Sequence, residues 1–149
     1  MKYLILLLSI FTLSFISPFV STDINNDIII VIESNDQMKF NKSEIVVYAG
    51  ETITLTLKHT GTLPAAAMGH NWVLLKRGTD LPTFARQAMN ARDNGFIPVN
   101  SPDVIVATKV IGGGEQTTIR FEAPGRGEYD FICSFPGHFS IMKGKFIVV

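Results

Sequence analysis

Cys133, His138 and Met142 fall within one stretch, Cys133-Ser134-Phe135-Pro136-Gly137-His138-Phe139-Ser140-Ile141-Met142, spaced C-x4-H-x3-M. A thiolate, an imidazole and a thioether on so short a loop can close around a single ion, and Pro136-Gly137 shapes the turn that folds the loop back. Thiolate and thioether are soft donors that favour Cu(I), while imidazole also suits Cu(II). A trigonal set of two imidazoles and one thiolate, with a long and weak axial thioether, holds both copper states. The second imidazole must come from elsewhere. With only three histidines in the chain, His70 in Met68-Gly69-His70-Asn71-Trp72 is the prime candidate. Taken singly, a lone cysteine is usually an inert buried hydrophobe and a methionine fills core. Neither plain reading accounts for three donors meeting in one Pro-Gly loop.

The elements that must position these donors read as short strands separated by turns. Asp27 to Glu33 is a β-branched run, and Ile53, Leu55 and Leu57 alternate with Thr52, Thr54, Thr56 and Lys58. That two-residue period marks a half-buried strand. Trp72 and Leu74 begin another apolar segment, and Val104 to Ile111 is a second β-branched run closed by Gly112-Gly113-Gly114. Ile119 and Phe121, then Tyr129, Phe131 and Cys133, then Phe146 and Val148 complete the set. Strands at this spacing predict an all-β antiparallel sandwich or barrel. One stretch breaks the rhythm: Thr79 or Asp80 caps a short helical excursion with Pro82 in its first turn, running through Phe84, Ala88 and Ala91 to Gly95. The excursion carries no chemistry of its own and serves to cover one side of the sandwich.

Composition excludes several classes. The 149 residues suit one domain, and 46% apolar content is too high for disorder. Thirteen basic side chains balance thirteen acidic ones, which excludes a nucleic-acid binder working through bulk charge. A single cysteine excludes an intramolecular disulfide framework and any paired-cysteine redox or zinc motif. Met1-Lys2 followed by the uncharged apolar run Tyr3 to Ile16 fits a secretory leader, and the run is short for a membrane span. The leader is assigned to residues 1–21, with cleavage between 18 and 26, leaving residues 22–149 as an exported, nearly neutral domain that no longer touches the membrane. An uncleaved anchor is the plainer alternative.

The chain resembles the azurins, small periplasmic blue-copper proteins of the cupredoxin superfamily. The resemblance rests on Asn35-Asp36-Gln37-Met38, on His59 to Leu74 with its Met-Gly-His-Asn-Trp core, and on Cys133 to Gly144. It extends over nearly all of the chain after the leader and implies a Greek-key β-sandwich with copper near one end. It implies His70, Cys133 and His138 as strong ligands, with Met142 and the backbone carbonyl of Gly69 as weak axial contacts. Asn71 and the backbone at Phe135 are expected to hydrogen-bond around the thiolate and tune its potential. His59 continues the inward parity of Ile53, Leu55 and Leu57; a hydrogen-bonded core histidine is the default, and a pH-sensitive modulator the sharper alternative. The edge of His138 is expected inside an apolar patch drawn from Met38, Leu63, Pro64, Met68, Phe135, Pro136 and Ile141. Such a patch suits short-lived encounters with redox proteins such as c-type cytochromes or periplasmic reductases. Two features depart from the family pattern: the chain has no second cysteine for an N-terminal disulfide, and Lys76 to Asp103 matches poorly.

The function expected is that of a type 1 blue-copper carrier moving single electrons, with no catalytic residues. A non-redox copper chaperone or store uses similar donors, but typically with several methionines or cysteines at an exposed site. A Cys-His hydrolase would use Cys133 as nucleophile, His70 or His138 as base and Asn71 as orienter, and would leave Met142 unexplained. An adhesion-type sandwich would need none of the loop.

Overall fold

The computed structural model describes residues 27–149, so the leader and the first residues of the expected domain lie outside the described residues. Two sheets face each other. One has strand order β2-β1-β4-β7, built from β1 (Ile28–Asn35), β2 (Lys39–Phe40), β4 (Thr52–His59) and β7 (Gln116–Glu122). The other has order β3-β9-β8-β5-β6, from β3 (Glu44–Val47), β5 (Val73–Leu75), β6 (Val104–Ala107), β8 (Gly127–Ile132) and β9 (Lys143–Val148). The chain passes repeatedly from one sheet to the other, which makes a Greek-key sandwich.

The sheets are mixed, not purely antiparallel as the strand spacing predicted. β1 runs parallel to β4, from Ile28 opposite Ile53 to Ser34 opposite His59, and β3 runs parallel to β9. Parallel neighbours need a long connection. The stretch through β2 and β3 supplies it, carrying the chain across to the other sheet and back before β4 begins.

Alternation decides what each strand buries. Ile53, Leu55, Leu57 and His59 of β4 point inward while its threonines face out, and Ile30, Ile32 and Ser34 do the same on β1. Trp72 sits at the centre of the core with Phe131, Phe146 and Phe121 around it at 5.5–6.2 Å between ring centres. All three residues of β5 are buried because both its faces are covered. Leu74 faces the opposing sheet, and Val73 and Leu75 pack against Phe84 and Ala88 of helix α2 (Leu81–Met89). Each fully buried side chain of that size stabilises the fold by about 1.5–3 kcal/mol.

Helix α2 starts where the capping signal places it: Asp80 accepts a hydrogen bond from the Thr83 N–H, and Pro82 lies in the first turn. It ends earlier than expected, at Met89. The chain then tightens into a 3₁₀ turn, Arg92–Asn94, closed by Gly95 in the left-handed region. The Val104–Ile111 run also divides. β6 stops at Ala107 because the Thr108 hydroxyl accepts the Trp72 N–H in place of a ladder bond, and Ile111 re-pairs alone with His70. A single turn not anticipated from sequence, α1 (Ala65–Met68), follows Pro64.

Candidate metal centre

Three loops meet at one end of the sandwich. The Cys133–Met142 loop joins β8 to β9 and closes on itself, with the Cys133 N–H donating to the Met142 carbonyl at 2.9 Å. Inside it, Phe135-Pro136-Gly137-His138 forms a tight turn: His138 N–H donates to the Phe135 carbonyl at 3.0 Å, and Gly137 takes φ +83°. Proline before a residue of positive φ is the signature of a type II turn. The second loop brings His70, whose N–H and C=O both pair with Ile111 at 3.0 and 2.9 Å. The third brings Asn35 from the end of β1.

The side chains converge. Nδ1 of His70 lies 3.2 Å from Nδ1 of His138, and Cys133 Sγ lies 3.8 and 3.6 Å from these two nitrogens. Among the described residues these three form the one group of His, Cys, Asp and Glu donors close enough to share an ion. The centre of that triangle is about 2 Å from each corner, near metal–nitrogen and metal–thiolate bond lengths of roughly 2.0–2.3 Å. One soft thiolate and two imidazoles in that space fit copper. The fit depends on the histidine tautomer. His70 Nε2 is 2.9 Å from the Asn35 carbonyl, so it carries the proton and donates, leaving the Nδ1 lone pair to face Cys133. Orienting a ligand imidazole from its far nitrogen is a general device of metal sites.

Burial governs the electrostatics. Cys133 and His70 are fully buried and His138 is 4% exposed. Burial pushes the Cys133 thiol up to about 12, against the opposing pull of backbone N–H groups at Asn71 and Phe135. It also lowers His138 to about 4, with His70 adding to the effect, and lowers His70 although its bond to Asn35 opposes this. The metal-free site is therefore neutral at pH 7, with a protonated thiol and uncharged rings. A soft cation offsets this by displacing the thiol proton as it binds.

The remaining residues singled out from sequence divide by position. Met142 is fully buried at the close of the loop. Gly69 is buried where a Cβ would come within 2.5 Å of the Ala65 carbonyl, 2.7 Å of Val110 and 2.8 Å of Phe135, so only glycine fits. His59 is fully buried beside the donors without joining them: its ring stacks on His70 at 4.5 Å, Nδ1 accepts the Gly61 N–H, and Nε2 donates to the Met68 carbonyl, both at 3.0 Å. Leu63, Pro64 and Ile141 are exposed; Met38, Met68, Phe135 and Pro136 are half-buried. The Phe135 ring packs on His138 at 4.8 Å.

Sequence reasoning missed two supports. The Asn35 carbonyl orients His70, but a backbone carbonyl leaves no mark on residue identity. Ser134 bonds to Asn71 and donates to the Phe96 carbonyl at 2.7 Å. A small hydroxyl residue next to the cysteine was its only signal.

Residues 26–149 match the family described as copper binding proteins, plastocyanin/azurin family. Azurin of Alcaligenes faecalis is 47% identical over 118 residues, covering 76% of this chain and 91% of that one. Outer membrane protein H.8 of Neisseria meningitidis serogroup B is 42% identical over 122 residues; the match covers 79% of this chain and 66% of that longer protein. Among solved structures, auracyanin A of Chloroflexus aurantiacus, described as a "blue" copper protein, superposes with a TM-score of 0.76. It is 29% identical, and the match covers 83% of this chain and 99% of that one.

Proposed function

The chain belongs to the plastocyanin/azurin family of copper-binding proteins, and from that premise we propose that it is a type 1 blue-copper carrier that moves single electrons between redox partners in the periplasm. The observation that carries this reading is the convergence of one thiol and two imidazole nitrogens within 3.8 Å in a buried pocket. In this reading His70, Cys133 and His138 are the strong ligands. The Met142 thioether and the Gly69 carbonyl would be weaker contacts to the ion. Bound copper supplies a one-electron Cu(II)/Cu(I) couple.

The protein's own groups set the conditions for that couple. A Greek-key frame and the His70–Ile111 pairing hold the donors in place, so neither oxidation state has to rebuild the site. Backbone N–H groups at Asn71 and Phe135 stabilise negative charge on the Cys133 sulfur. His59 stiffens His70 by stacking. His138, packed under Phe135, is the ligand nearest the surface and the exit for electrons. The apolar side chains of Met38, Leu63, Pro64, Met68, Phe135, Pro136 and Ile141 form the docking face. A small uncharged face gives short-lived complexes, as redox encounters with c-type cytochromes or periplasmic reductases require.

The apolar leader supports export, and no helix among the described residues is long and apolar enough to cross a membrane. A hydrolase needs a reactive thiolate, whereas burial holds the Cys133 thiol neutral. A metal-transfer protein needs an accessible site, and these donors are closed off.

Copper loading tests the proposal. The expected result is an intense blue colour that bleaches on reduction and returns on oxidation. A colourless copper complex would overturn it, and thiol-dependent hydrolysis would favour the enzyme.

A further inference from the structure

Beside the donor loops, between α1 and the chain that follows α2, lies an open groove of about 570 Å³. Ala66, Met89, Phe96, Val110 and Phe135 contribute apolar surface to it, and Arg92 is the one charged group in its lining. Arg92 forms no ion pair and no side-chain hydrogen bond among the described residues, although its guanidinium is always charged. The aromatic part of the lining is braced. Phe96 meets the Phe135 ring edge-on at 4.9 Å, and Phe135 and Val110 lie over Gly69, where a Cβ would come within 2.8 and 2.7 Å of them.

We propose that this groove is a binding site for a small aromatic anion: a planar apolar ring system carrying one carboxylate or sulfonate. Its volume falls in the range of about 300–1,000 Å³ typical of small-molecule sites, which pair apolar and aromatic linings with a few polar anchors. The ring lies against Phe96, Phe135 and Val110, and the anionic group faces Arg92, which can bind an oxyanion through two parallel N–H donors. A concave space of this size suits a small molecule. The site is separate from the copper donors, and the binding does not depend on the electron-transfer reading. It does reach the metal centre, because the Phe135 ring that lines the groove also packs on His138.

The probe is 1-anilinonaphthalene-8-sulfonate, titrated by fluorescence against both the copper(I)-loaded and the metal-free chain; Cu(I) has no blue band to quench the dye. One saturable site is expected. Arg92→Glu should weaken it at least tenfold, and Ala66→Trp, which fills the groove, should remove it. Arg126→Glu, at the far end of β8, should change nothing. N-phenyl-1-naphthylamine, the same body without the sulfonate, should bind at least tenfold more weakly. Circular dichroism confirms that each variant is folded. Dye affinity unchanged in both Arg92→Glu and Ala66→Trp would place the dye elsewhere and overturn the proposal. Equal binding of the two dyes, or no binding, would overturn it too. A chain that takes up no copper yet binds the dye at Arg92 would defeat the carrier reading and leave the groove standing.

Discussion

Asn71 and Ser134 hold each other through two reciprocal hydrogen bonds of 2.8 Å, amide to hydroxyl in one direction and backbone N–H to amide oxygen in the other. Each sits next to a proposed ligand, Asn71 after His70 and Ser134 after Cys133, so the pair fixes the distance between two loops 63 residues apart. Asn71 also donates to the Gly95 carbonyl, which ties the turn after α2 into the same lattice. Asn71→Ala leaves a buried Ser134 N–H and the Gly95 carbonyl unpaired, which costs roughly 1–3 kcal/mol each at most. Ser134→Ala keeps its own N–H bond to Asn71 but leaves the Phe96 carbonyl and one Asn71 amide N–H unpaired; it breaks two bonds where Asn71→Ala breaks three, and should cost less. Urea unfolding of both variants should rank them in that order, and a double variant should fall short of additivity because the two share partners.

Cys133→Ser should bind copper weakly and lose the blue colour while keeping the fold, since the thiolate is the donor of the charge-transfer band and a hydroxyl is a hard, poor substitute. Visible absorption and circular dichroism on the same sample check both halves. An intact intense band in that variant would remove the copper assignment altogether.

The two histidines should differ in how they can be replaced. His70 is enclosed, with His59 stacked on its ring and Asn35 at its far nitrogen, whereas His138 retains slight exposure at the edge of its loop. His138→Gly should open a gap that added imidazole refills with recovery of the blue band. His70→Gly should respond poorly to the same titration. The reverse ranking would mean that the ligand nearest the surface has been misassigned.

Met142→Leu preserves volume and apolarity, so packing should survive. What is lost is a weak electron donor, and what remains is a drier site. Both changes disfavour Cu(II) relative to Cu(I), and the reduction potential should rise. A rise on the order of 59 mV corresponds to a tenfold change in a one-electron equilibrium. Voltammetry on wild type and variant should show that shift with copper retained. A fall, or loss of the metal, would show that Met142 is not a weak axial ligand.

The chain has no disulfide at its start, and an ion pair latches the same end. Asp27 accepts from Thr54 Oγ1 at 2.9 Å and from two nitrogens of Arg120 at 2.8 and 3.0 Å, joining the entry to β1 with β4 and β7. These bonds, chiefly Arg120 and then Thr54, hold the Asp27 carboxyl below its ordinary 3.8. A carboxyl lowered in the folded state adds stability above the unfolded value and loses it as pH falls through the folded one. Asp27→Asn should therefore lower the urea midpoint at pH 7, and the gap to wild type should narrow steadily below about pH 4. A gap independent of pH would mean that the latch works by packing alone.

Much of this protein is local and was therefore legible in its residues. Cys133 and His138 are close along the chain, so one Pro-Gly turn is enough to gather them. The two-residue period of β4 needs only its own side chains, and Asp80 with Pro82 marks the start of α2 unaided. The tertiary structure decided what depends on distant partners. The Val104–Ile111 run reads as one strand until Trp72 claims the Thr108 hydroxyl, and α2 reads longer until the chain turns at Asn90 to reach the donor loops. The parallel pairing of β1 with β4 follows from a crossover that no single segment encodes. His70 was named from its motif, but which nitrogen faces the sulfur was settled by the Asn35 carbonyl at the end of β1. Side-chain type and spacing report interactions within a few residues, whereas backbone groups are the same at nearly every position, so a site oriented by them becomes visible only once the chain is folded.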